Sequence, residues 1–142
     1  MKQKITPEID RIMKDRFGKD SLIALATVSE GRPCVRTVNS YYENGSFYIV
    51  TYALSDKIKQ IEICPDAAIC GDWFTAKGTG ENLGHVLSED NLPLIQRLRE
   101  VFAEWYSGGH VDESDPNTCI LRIRLTEGVL FSNGTRYEID FT

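Results

Sequence analysis

A chain of 142 residues, 42% hydrophobic and 26% charged, has the length and composition of one globular domain. Its 16 Lys and Arg residues against 21 Asp and Glu residues give a formal net charge of −5, which argues against nucleic acid as the main partner because phosphate binding needs a basic surface. No apolar run approaches the roughly 20 residues that span a bilayer, and the charged N-terminal segment lacks the apolar core of a signal peptide. We therefore expect a cytoplasmic protein with no membrane partner.

The first predicted element is a helix. Thr6-Pro7-Glu8 supplies a capping hydroxyl, a proline at the first helical position and a carboxylate near the positive helix end, and Gly18 ends the helix. Residues 21–29, SLIALATVS, are apolar on both faces of a strand, which predicts a central strand.

A hairpin follows this central strand. Strands are predicted at 33–42 and 47–53, joined by Asn44-Gly45, a pair that is typical of tight turns because it tolerates positive φ. Three strands joined in this way predict an antiparallel meander.

The second half of the chain alternates short helices and strands. The predicted elements are a helix at 55–63 stopped by Pro65, a strand at 66–74, a Gly-rich and then strand-like segment at 77–88, a long amphipathic helix at 89–106, a polar loop at 110–117, a strand at 118–131 bent near Glu127-Gly128, and an edge strand at 136–141. The predicted fold is therefore mainly β, of the α+β class. We expect a single domain, residues 1–142, forming a six- to seven-stranded antiparallel β-barrel with three flanking helices, since closure removes exposed strand edges.

One Arg in the second strand has two interpretations. Alternation places Arg36 on a half-buried face, where a charge costs free energy unless it is paired. It either forms an ion pair with Glu43 or Asp56 or lies in solvent, or it belongs to an anion site. In the second case Ser55 begins a helix whose free N–H groups bind anions, and Lys57 adds a charge. A phosphate monoester, with about −1.5 to −2 charges, would balance these groups.

The sequence around these residues resembles a known family. "VRTV" at 35–38, "FYIVTYALSDK" at 47–57 and "IKQIEICP" at 58–65 are similar to the pyridoxamine 5′-phosphate oxidase-like flavin-binding split barrels, especially their short general stress protein 26-like branch. The resemblance implies FMN bound in a groove between the subunits of a homodimer, with Arg36 and Lys57 on the phosphate and Ser55 at the same turn. It also implies a set of further FMN contacts, from Thr37, Val38, Asn39, Val50 and Thr51, and from Thr79 of the opposite subunit.

Three departures from the family pattern affect the expected function. Tyr41 replaces a Lys that helps to seat the substrate phosphate, Asp56 replaces a second Arg, and "TRYEIDFT" lacks the basic C-terminal segment. We therefore expect an FMN-dependent oxidoreductase that acts on a small molecule and not on pyridoxamine phosphate. The alternatives are a non-catalytic flavin-binding stress protein and the same barrel binding haem or a deazaflavin. No catalytic residue is assigned.

Three other motifs predict structure more than chemistry. "KGTGENLG" at 77–84 is close to a dinucleotide-binding fingerprint but lacks the helix that must follow, so it indicates a bent barrel strand. His85 and His110 are expected to be solvated or locally hydrogen-bonded, and no metal site is predicted. The cysteines are expected to be small buried hydrophobic residues: Cys34, Cys64, Cys70 and Cys119.

Overall fold

The computed structural model describes residues 2–142. Its strands and helices are, in chain order, β1 (Gln3–Lys4), α1 (Pro7–Phe17), β2 (Ser21–Ser29), β3 (Arg32–Glu43), β4 (Ser46–Tyr52), α2 (Asp56–Ile63), β5 (Asp66–Gly71), β6 (Phe74–His85), a 3-10 turn (Glu89–Asn91), α3 (Leu92–Val101), α4 (Ala103–Trp105), a π-type turn (Tyr106–His110), β7 (Thr118–Ser132) and β8 (Thr135–Asp140).

Six strands close into an antiparallel barrel. Their order is β7-β4-β3-β2-β5-β6, and β6 pairs with β7 to complete the ring. Outside the ring, β8 pairs with β7 in antiparallel fashion and β1 pairs with β8 in parallel. The predicted mainly β fold, with a six- to seven-stranded split barrel and flanking helices, is confirmed.

Local sequence signals account for the first half of the fold. The Oγ1 atom of Thr6 accepts a hydrogen bond from the backbone N–H of Ile9, which caps α1 as predicted. Strand β2 has the predicted bounds and pairs on both sides, with β3 and β5. Asn44 and Gly45 form the β3–β4 turn with φ of 47° and 82°, and only this turn geometry matches the twist of the two strands.

Several predicted elements differ from the structure. The strand expected at 66–74 is two strands, β5 and β6, separated by a turn in which Trp73 has a φ of 52°. The helix expected at 89–106 begins as a 3-10 turn and is interrupted at Phe102, whose φ of −97° and ψ of 17° are not helical. The strand expected at the sheet edge, β8, lies between β7 and the two-residue strand β1. Only one of the four cysteines, Cys119, is buried, and Cys70 is exposed.

The hydrophobic core has two layers. The main layer fills the barrel and the space under α1 and α2, whose buried residues are Ile9, Met13, Phe17, Ile58 and Ile61. The second layer lies on the outer face of β4 and β7 beneath α3 and α4, with Ile95, Leu98, Phe102, Tyr106 and Ile120 at its centre. The end of α4 is therefore held against the outside of the barrel.

Two strands of the barrel separate soon after their hairpin. Strands β3 and β4 pair only through Tyr41–Glu43 and Ser46–Tyr48, although β3 has 12 residues and β4 has seven. Beyond this short ladder, residues 36–39 of β3 and 49–52 of β4 diverge. The resulting opening in the barrel wall positions the site described below.

The Gly-rich segment is a barrel strand, as predicted. A Cβ atom at Gly78 would lie 2.5 Å from the carbonyl oxygen of Arg124, and one at Gly80 would lie 2.9 Å from the Ile61 side chain. These glycines allow β6 to approach β7 and α2 closely. Opposite Gly78, the β6–β7 register shifts by one residue, so Gly78 faces Leu125 whereas Lys77 faces Glu127, which places the bend of β7 near its predicted position.

Within residues 2–142, no helix has both the length and the apolar character needed to cross a membrane. In the same part of the chain, His, Cys, Asp and Glu side chains form no group of three that could hold a metal ion.

Candidate functional site

Arg36 lies on the inward face of β3 and is held by neutral acceptors. Its guanidinium donates hydrogen bonds to the carbonyl oxygen of Leu25 at 3.3 Å, to Oγ1 of Thr27 at 2.7 Å and to Oε1 of Gln60 at 3.0 Å. These contacts fix the guanidinium between β2 and α2. No ion pair of residues 2–142 includes Arg36, because Glu43 pairs with Arg97 and Asp56 is exposed. The ion pair with Glu43 or Asp56, one of the alternatives for Arg36, is therefore not formed, and the Arg36 charge is not neutralised.

Lys57 lies in the first turn of α2 and is half-buried. Burial lowers its pKa below the ordinary value of 10.5, and the nearby Arg36 charge lowers it further. Within the described residues, its ammonium makes no hydrogen bond or ion pair. Asp56 raises the pKa of Lys57 only weakly, as expected for a carboxylate that is exposed to solvent. Two cations thus lie close together without an anion.

Ser55 precedes this helix at the N-cap position. Its backbone is extended, with φ of −70° and ψ of 157°, yet its side chain makes no capping hydrogen bond. The Ser55 Oγ atom is buried and has no partner among the described residues. A buried hydroxyl without a partner costs about 1–3 kcal/mol, so it is uncommon in folded proteins. The first backbone N–H groups of α2 also lack intrahelical partners.

One of these three residues, Lys57, also lines a cavity. This cavity of about 480 Å³ lies where β3 and β4 diverge, and it is lined by Val38, Asn39, Ile49, Val50, Thr51, Lys57, Trp105 and His110. It extends from side chains of the barrel core, Val38 and Ile49, to the layer beneath α4. Small-molecule sites commonly have this volume and this mixture of apolar walls with a few polar groups.

The structure brings together most of the predicted site residues. Five of them line the cavity, namely Val38, Asn39, Val50, Thr51 and Lys57. Arg36 and Ser55 are not among the lining residues, but Arg36 is close enough to Lys57 to lower its pKa, and Ser55 lies two residues before Lys57. The Thr37 side chain is exposed on the opposite face of β3, and Thr79 lies on β6 between Asp66 and Arg124, away from the cavity of its own chain. A role for Thr79 in the partner subunit's groove stays a prediction.

Three cavity residues were not predicted as site residues, namely Ile49, Trp105 and His110. Ile49 is a buried core residue of β4. Trp105 follows the helix break at Phe102, and His110 follows Gly109, whose φ is 89°. In the sequence, Trp105 belongs to the apolar stripe of the long helix, which indicates core packing. Only the Gly-Gly pair before His110 signals that the chain turns here, and it does not show toward which surface.

A second cavity adjoins the first and shares three of its residues. This cavity, of about 410 Å³, is lined by Val50, Thr51, Tyr52, Gly109, His110, Val111, Asp112, Asp115 and Thr118.

The 111–117 loop, which forms the outer wall of this second cavity, is held in place by hydrogen bonds to Glu113. Arg99 donates two hydrogen bonds to the Glu113 carboxylate at 2.7 and 2.8 Å, and the Tyr106 hydroxyl donates another at 2.5 Å. His85 Nε2 lies 2.7 Å from the Glu113 carbonyl oxygen, so His85 is locally hydrogen-bonded as predicted.

The fold and this site define a split β-barrel with a cavity at the split, one unpaired cation, Lys57, in its lining and a second, Arg36, close to Lys57. A family model described as pyridoxamine 5′-phosphate oxidase matches residues 7–131, which is most of the chain. The chain therefore belongs to the pyridoxamine 5′-phosphate oxidase family, as its sequence motifs predicted. No curated protein is significantly similar to it in sequence.

Solved structures show the same fold at low sequence identity. General Stress Protein 26 from Bacillus anthracis str. Sterne is 17% identical with a TM-score of 0.65, over 85% of this chain and 92% of that chain. A FAD-binding protein from Mesorhizobium loti is 14% identical with a TM-score of 0.62, over 89% and 94%. HutZ, the heme storage protein from Vibrio cholerae, is 19% identical with a TM-score of 0.63, over 87% and 91%. At these identities the likeness shows the fold alone.

Proposed function

We propose that this protein binds FMN in the cavity at the β3–β4 opening and acts as a flavin-dependent oxidoreductase on a small molecule. The observation that carries the proposal is the pair of cations without an anion, Arg36 and Lys57, beside the unpartnered hydroxyl of Ser55. A phosphate monoester supplies the negative charge and the acceptor oxygens that these three groups lack. The N-terminus of α2 adds free backbone N–H groups.

The residues present fit the cofactor in charge and in shape. Arg36, Lys57 and Ser55 would hold the phosphate, and the backbone of Thr37 would run along the flavin. The ring would lie against the cavity-lining residues Val38, Asn39, Val50 and Thr51. When bound, the flavin supplies the redox chemistry, and the protein contributes position and electrostatic field. This division of roles is compatible with a site in which no catalytic residue is assigned.

The substrate is proposed to be something other than pyridoxamine phosphate. Tyr41, which replaces the family's Lys, donates its hydroxyl hydrogen to a carboxylate oxygen of Glu43 at 3.1 Å. Burial is the main cause of the raised pKa of Tyr41, and the nearby Glu43 charge raises this pKa further. The Tyr41 hydroxyl therefore stays protonated at neutral pH. A neutral hydroxyl bonded to a carboxylate is a poor replacement for an ammonium that seats a second phosphate.

We further propose a homodimer in which the partner completes the groove and contributes Thr79. A surface for the second copy is the outward face of β2, β3 and β5, where small or apolar side chains line a groove of about 500 Å³: Ala24, Ala26, Val35, Ala68 and Cys70. Val35 is 70% exposed and the neighbouring Leu22 is 65% exposed. The rim carries both charge signs, Lys2 and Lys77 beside Glu127, which suits contact with an identical surface.

Haem is the second candidate ligand, and one observation favours it. His110 lines the cavity, and no hydrogen bond or ion pair of residues 2–142 engages its ring, whereas Nε2 of His85 is bonded to the Glu113 carbonyl. His110 is thus the histidine that could approach an iron atom in the cavity. A His110→Ala protein that keeps all flavin binding but loses a haem absorption band would identify this ligand. A deazaflavin with a phosphate fits Arg36, Lys57 and Ser55 as well as FMN does.

The test is a spectrum of the purified protein followed by titrations with FMN and riboflavin. Riboflavin has the same ring but no phosphate, so it is the matched control ligand. We expect saturable binding of FMN at one per subunit and much weaker binding of riboflavin. Equal affinity for both would refute the phosphate assignment, and no binding of either would refute the proposed function.

A further measurement separates an enzyme from a flavin-binding stress protein without turnover. The FMN-loaded protein is mixed with NADH or NADPH and an artificial electron acceptor, with free FMN at the same concentration as the control. Turnover well above that of free FMN supports an oxidoreductase. Tight FMN binding with turnover equal to the control supports the non-catalytic alternative.

A further inference from the structure

One carboxylate outside the cavity contacts two of the side chains that line it. Asp20, in the connection between α1 and β2, accepts a hydrogen bond from Nδ2 of Asn39 at 2.9 Å through one oxygen. Its other oxygen accepts a hydrogen bond from Nε1 of Trp105, also at 2.9 Å. Asp20 therefore joins three separate parts of the chain, and Trp105 is 85 residues away from it in sequence.

Asp20 has no cation to neutralise it. None of the ion pairs formed by residues 2–142 includes Asp20, and its two hydrogen-bond donors are an amide and an indole. Hydrogen bonds to an ionised carboxylate are stronger than those between neutral groups. Both are also partly buried, which limits competition from water. A half-buried carboxylate with two neutral donors is therefore suited to fixing the orientation of those donors.

The two donors differ in what they present to the cavity. The Trp105 ring packs beside Phe102, with ring centres 5.0 Å apart, and beside Tyr106 at 6.0 Å. These apolar contacts restrain the ring, and the bond to Asp20 selects the direction of its N–H. For Asn39, donation of Nδ2 to Asp20 leaves Oδ1 as the free acceptor of the amide.

We propose that Asp20 is a positioning residue that fixes Trp105 as a flat wall of the cavity and holds the Asn39 amide with its Oδ1 free to accept a hydrogen bond. This inference rests on the proposed function, because it assigns the wall to the ring end of the same cofactor. The cavity then has a charged end at Lys57 for the phosphate and an aromatic wall at Trp105 for the ring. A planar aromatic ring gains most from such a wall when the wall is held in place before binding.

The first test measures the position of Trp105 without any ligand. The other tryptophan, Trp73, is 70% exposed at the β5–β6 turn, so the Trp73→Phe background leaves Trp105 as the single tryptophan. In this background, Asp20→Asn should increase the quenching of Trp105 fluorescence by acrylamide, because one of the two accepting oxygens becomes an NH2 group, which cannot accept a hydrogen bond. Asp15→Asn is the matched control, since it removes an exposed carboxylate from α1. Unchanged quenching in Asp20→Asn would overturn the inference.

The second test measures FMN affinity in a double-mutant cycle. Asp20→Asn should weaken FMN binding about tenfold, the loss expected for one hydrogen bond to a charged group. Trp105→Phe keeps an aromatic ring but lacks the N–H, so adding Asp20→Asn to it should have a smaller effect than in wild type. Equal effects in both backgrounds would overturn the role of Asp20 through Trp105. Circular dichroism and thermal melting of each variant show whether it is folded.

The outcomes of the two tests separate this inference from the proposed function. If wild-type protein binds FMN but Asp20→Asn changes neither FMN affinity nor quenching, the positioning role is refuted and the proposed function stands. If wild-type protein does not bind FMN, the proposed function fails together with the ligand assigned to the wall. The acrylamide measurement then still decides whether Asp20 holds Trp105.

Discussion

Ser55 begins helix α2, but its hydroxyl is not used to cap that helix. If the hydroxyl serves a bound phosphate, Ser55→Ala should have opposite effects on stability and on binding. Without ligand, the variant should be at least as stable as wild type, because it no longer buries an unpaired hydroxyl group. Its FMN affinity should fall about tenfold, which corresponds to one charge-assisted hydrogen bond.

Urea unfolding of the ligand-free proteins and FMN titration measure these two effects separately. Ser40→Ala is a useful comparison, because the buried Ser40 hydroxyl donates a hydrogen bond to the Ser21 carbonyl oxygen at 2.9 Å. That variant should lose stability without losing FMN affinity. If Ser55→Ala instead loses stability as Ser40→Ala does, its hydroxyl has a structural partner and not a ligand.

Arg36 supplies the planar donor group of the proposed phosphate site. Arg36→Ala should weaken FMN binding by about 1.5–3 kcal/mol, or roughly ten- to 150-fold, and should change riboflavin binding much less. Arg32→Ala, at an exposed position of the same strand, is the control for a general change in charge. Equal losses for FMN and riboflavin would show that Arg36 supports the barrel wall and does not contact a phosphate.

If Lys57 contacts a bound phosphate, FMN affinity should depend on pH. The pKa of Lys57 in the ligand-free protein is below 10.5, so between this lowered value and 10.5 its ammonium is partly lost. A bound phosphate favours the charged form, and FMN binding should therefore take up protons in this range, with affinity falling as the pH rises. Burial raises the pKa of the nearby Cys119 thiol to about 11, so this thiol stays protonated over most of the same range.

The matched variant for this pH effect is Lys57→Arg, because a guanidinium stays charged throughout the range. FMN titrations from neutral pH to 10.5 should show a smaller alkaline loss of affinity in Lys57→Arg than in wild type. Parallel curves for the two proteins would assign the loss to another group.

At the scale of elements, Glu113 fastens the 111–117 loop to α3. The hydrogen bonds from Arg99 are the main cause of the lowered pKa of Glu113, and the Tyr106 hydroxyl adds to it. A carboxyl group with a lowered pKa in the folded state stabilises the protein above its ordinary value of 4.5, and this contribution is lost as the pH falls through the folded-state value. Glu113→Gln should therefore lower the free energy of unfolding by about 1–2 kcal/mol at neutral pH.

This stability difference should shrink as the solution is acidified, since wild-type Glu113 then becomes neutral as well. Urea unfolding of both proteins at neutral and acidic pH measures it. Glu104→Gln, which removes an exposed carboxylate from α4, should have little effect at either pH. A Glu113→Gln difference that is constant with pH would mean that the carboxylate charge does not hold the loop.

The elements that were predicted correctly are those specified by neighbouring residues. The Thr6 cap, the alternation in β2 and the Asn44-Gly45 turn are local signals, and each gave the observed structure. The turn between β5 and β6 has a weaker signal, Gly71-Asp72, which the predicted strand at 66–74 passed over. The residue at the positive φ is Trp73, a bulky residue that rarely adopts this conformation.

The sequence predicted only those site residues that lie close together along the chain. Arg36, Ser55 and Lys57 lie within a short stretch of sequence, and in the structure Arg36 lies near Lys57, which lines the cavity. Trp105 and His110 reach the same cavity from a helix that breaks at Phe102, and no sequence pattern indicates where the chain goes after that break. The sequence also does not indicate where β3 separates from β4, because the alternation of inward and outward side chains continues through the point of separation.

At the scale of the whole molecule, the proposed dimer requires contact between two copies at the outward face of β2, β3 and β5, because the partner completes the groove. Ala26 lies on the outward face of β2, within the patch of small side chains. Ala26→Arg should give a monomer in light-scattering chromatography and should weaken FMN binding, because the partner would no longer complete the groove. Thr135→Arg, at an exposed position on the β7–β8 hairpin, is the control for an added charge.

Two results would contradict this prediction. A dimer that survives Ala26→Arg would show that the two copies meet at a different surface. A monomeric Ala26→Arg protein with unchanged FMN affinity would show that each chain binds FMN by itself, and the proposed role of Thr79 would then fail.

The short ladder between β3 and β4 also has a consequence for the tendency of the protein to aggregate. Residues 36–39 pair with β2 and residues 49–52 pair with β7, but the sides of these two segments that face each other have no strand between them. Such free edges are templates on which another chain can add a strand and start aggregation. In this protein, Trp105 and His110 stand over the opening. The segment that shapes the cavity therefore also covers part of this free edge, which should hinder the addition of a strand from another chain.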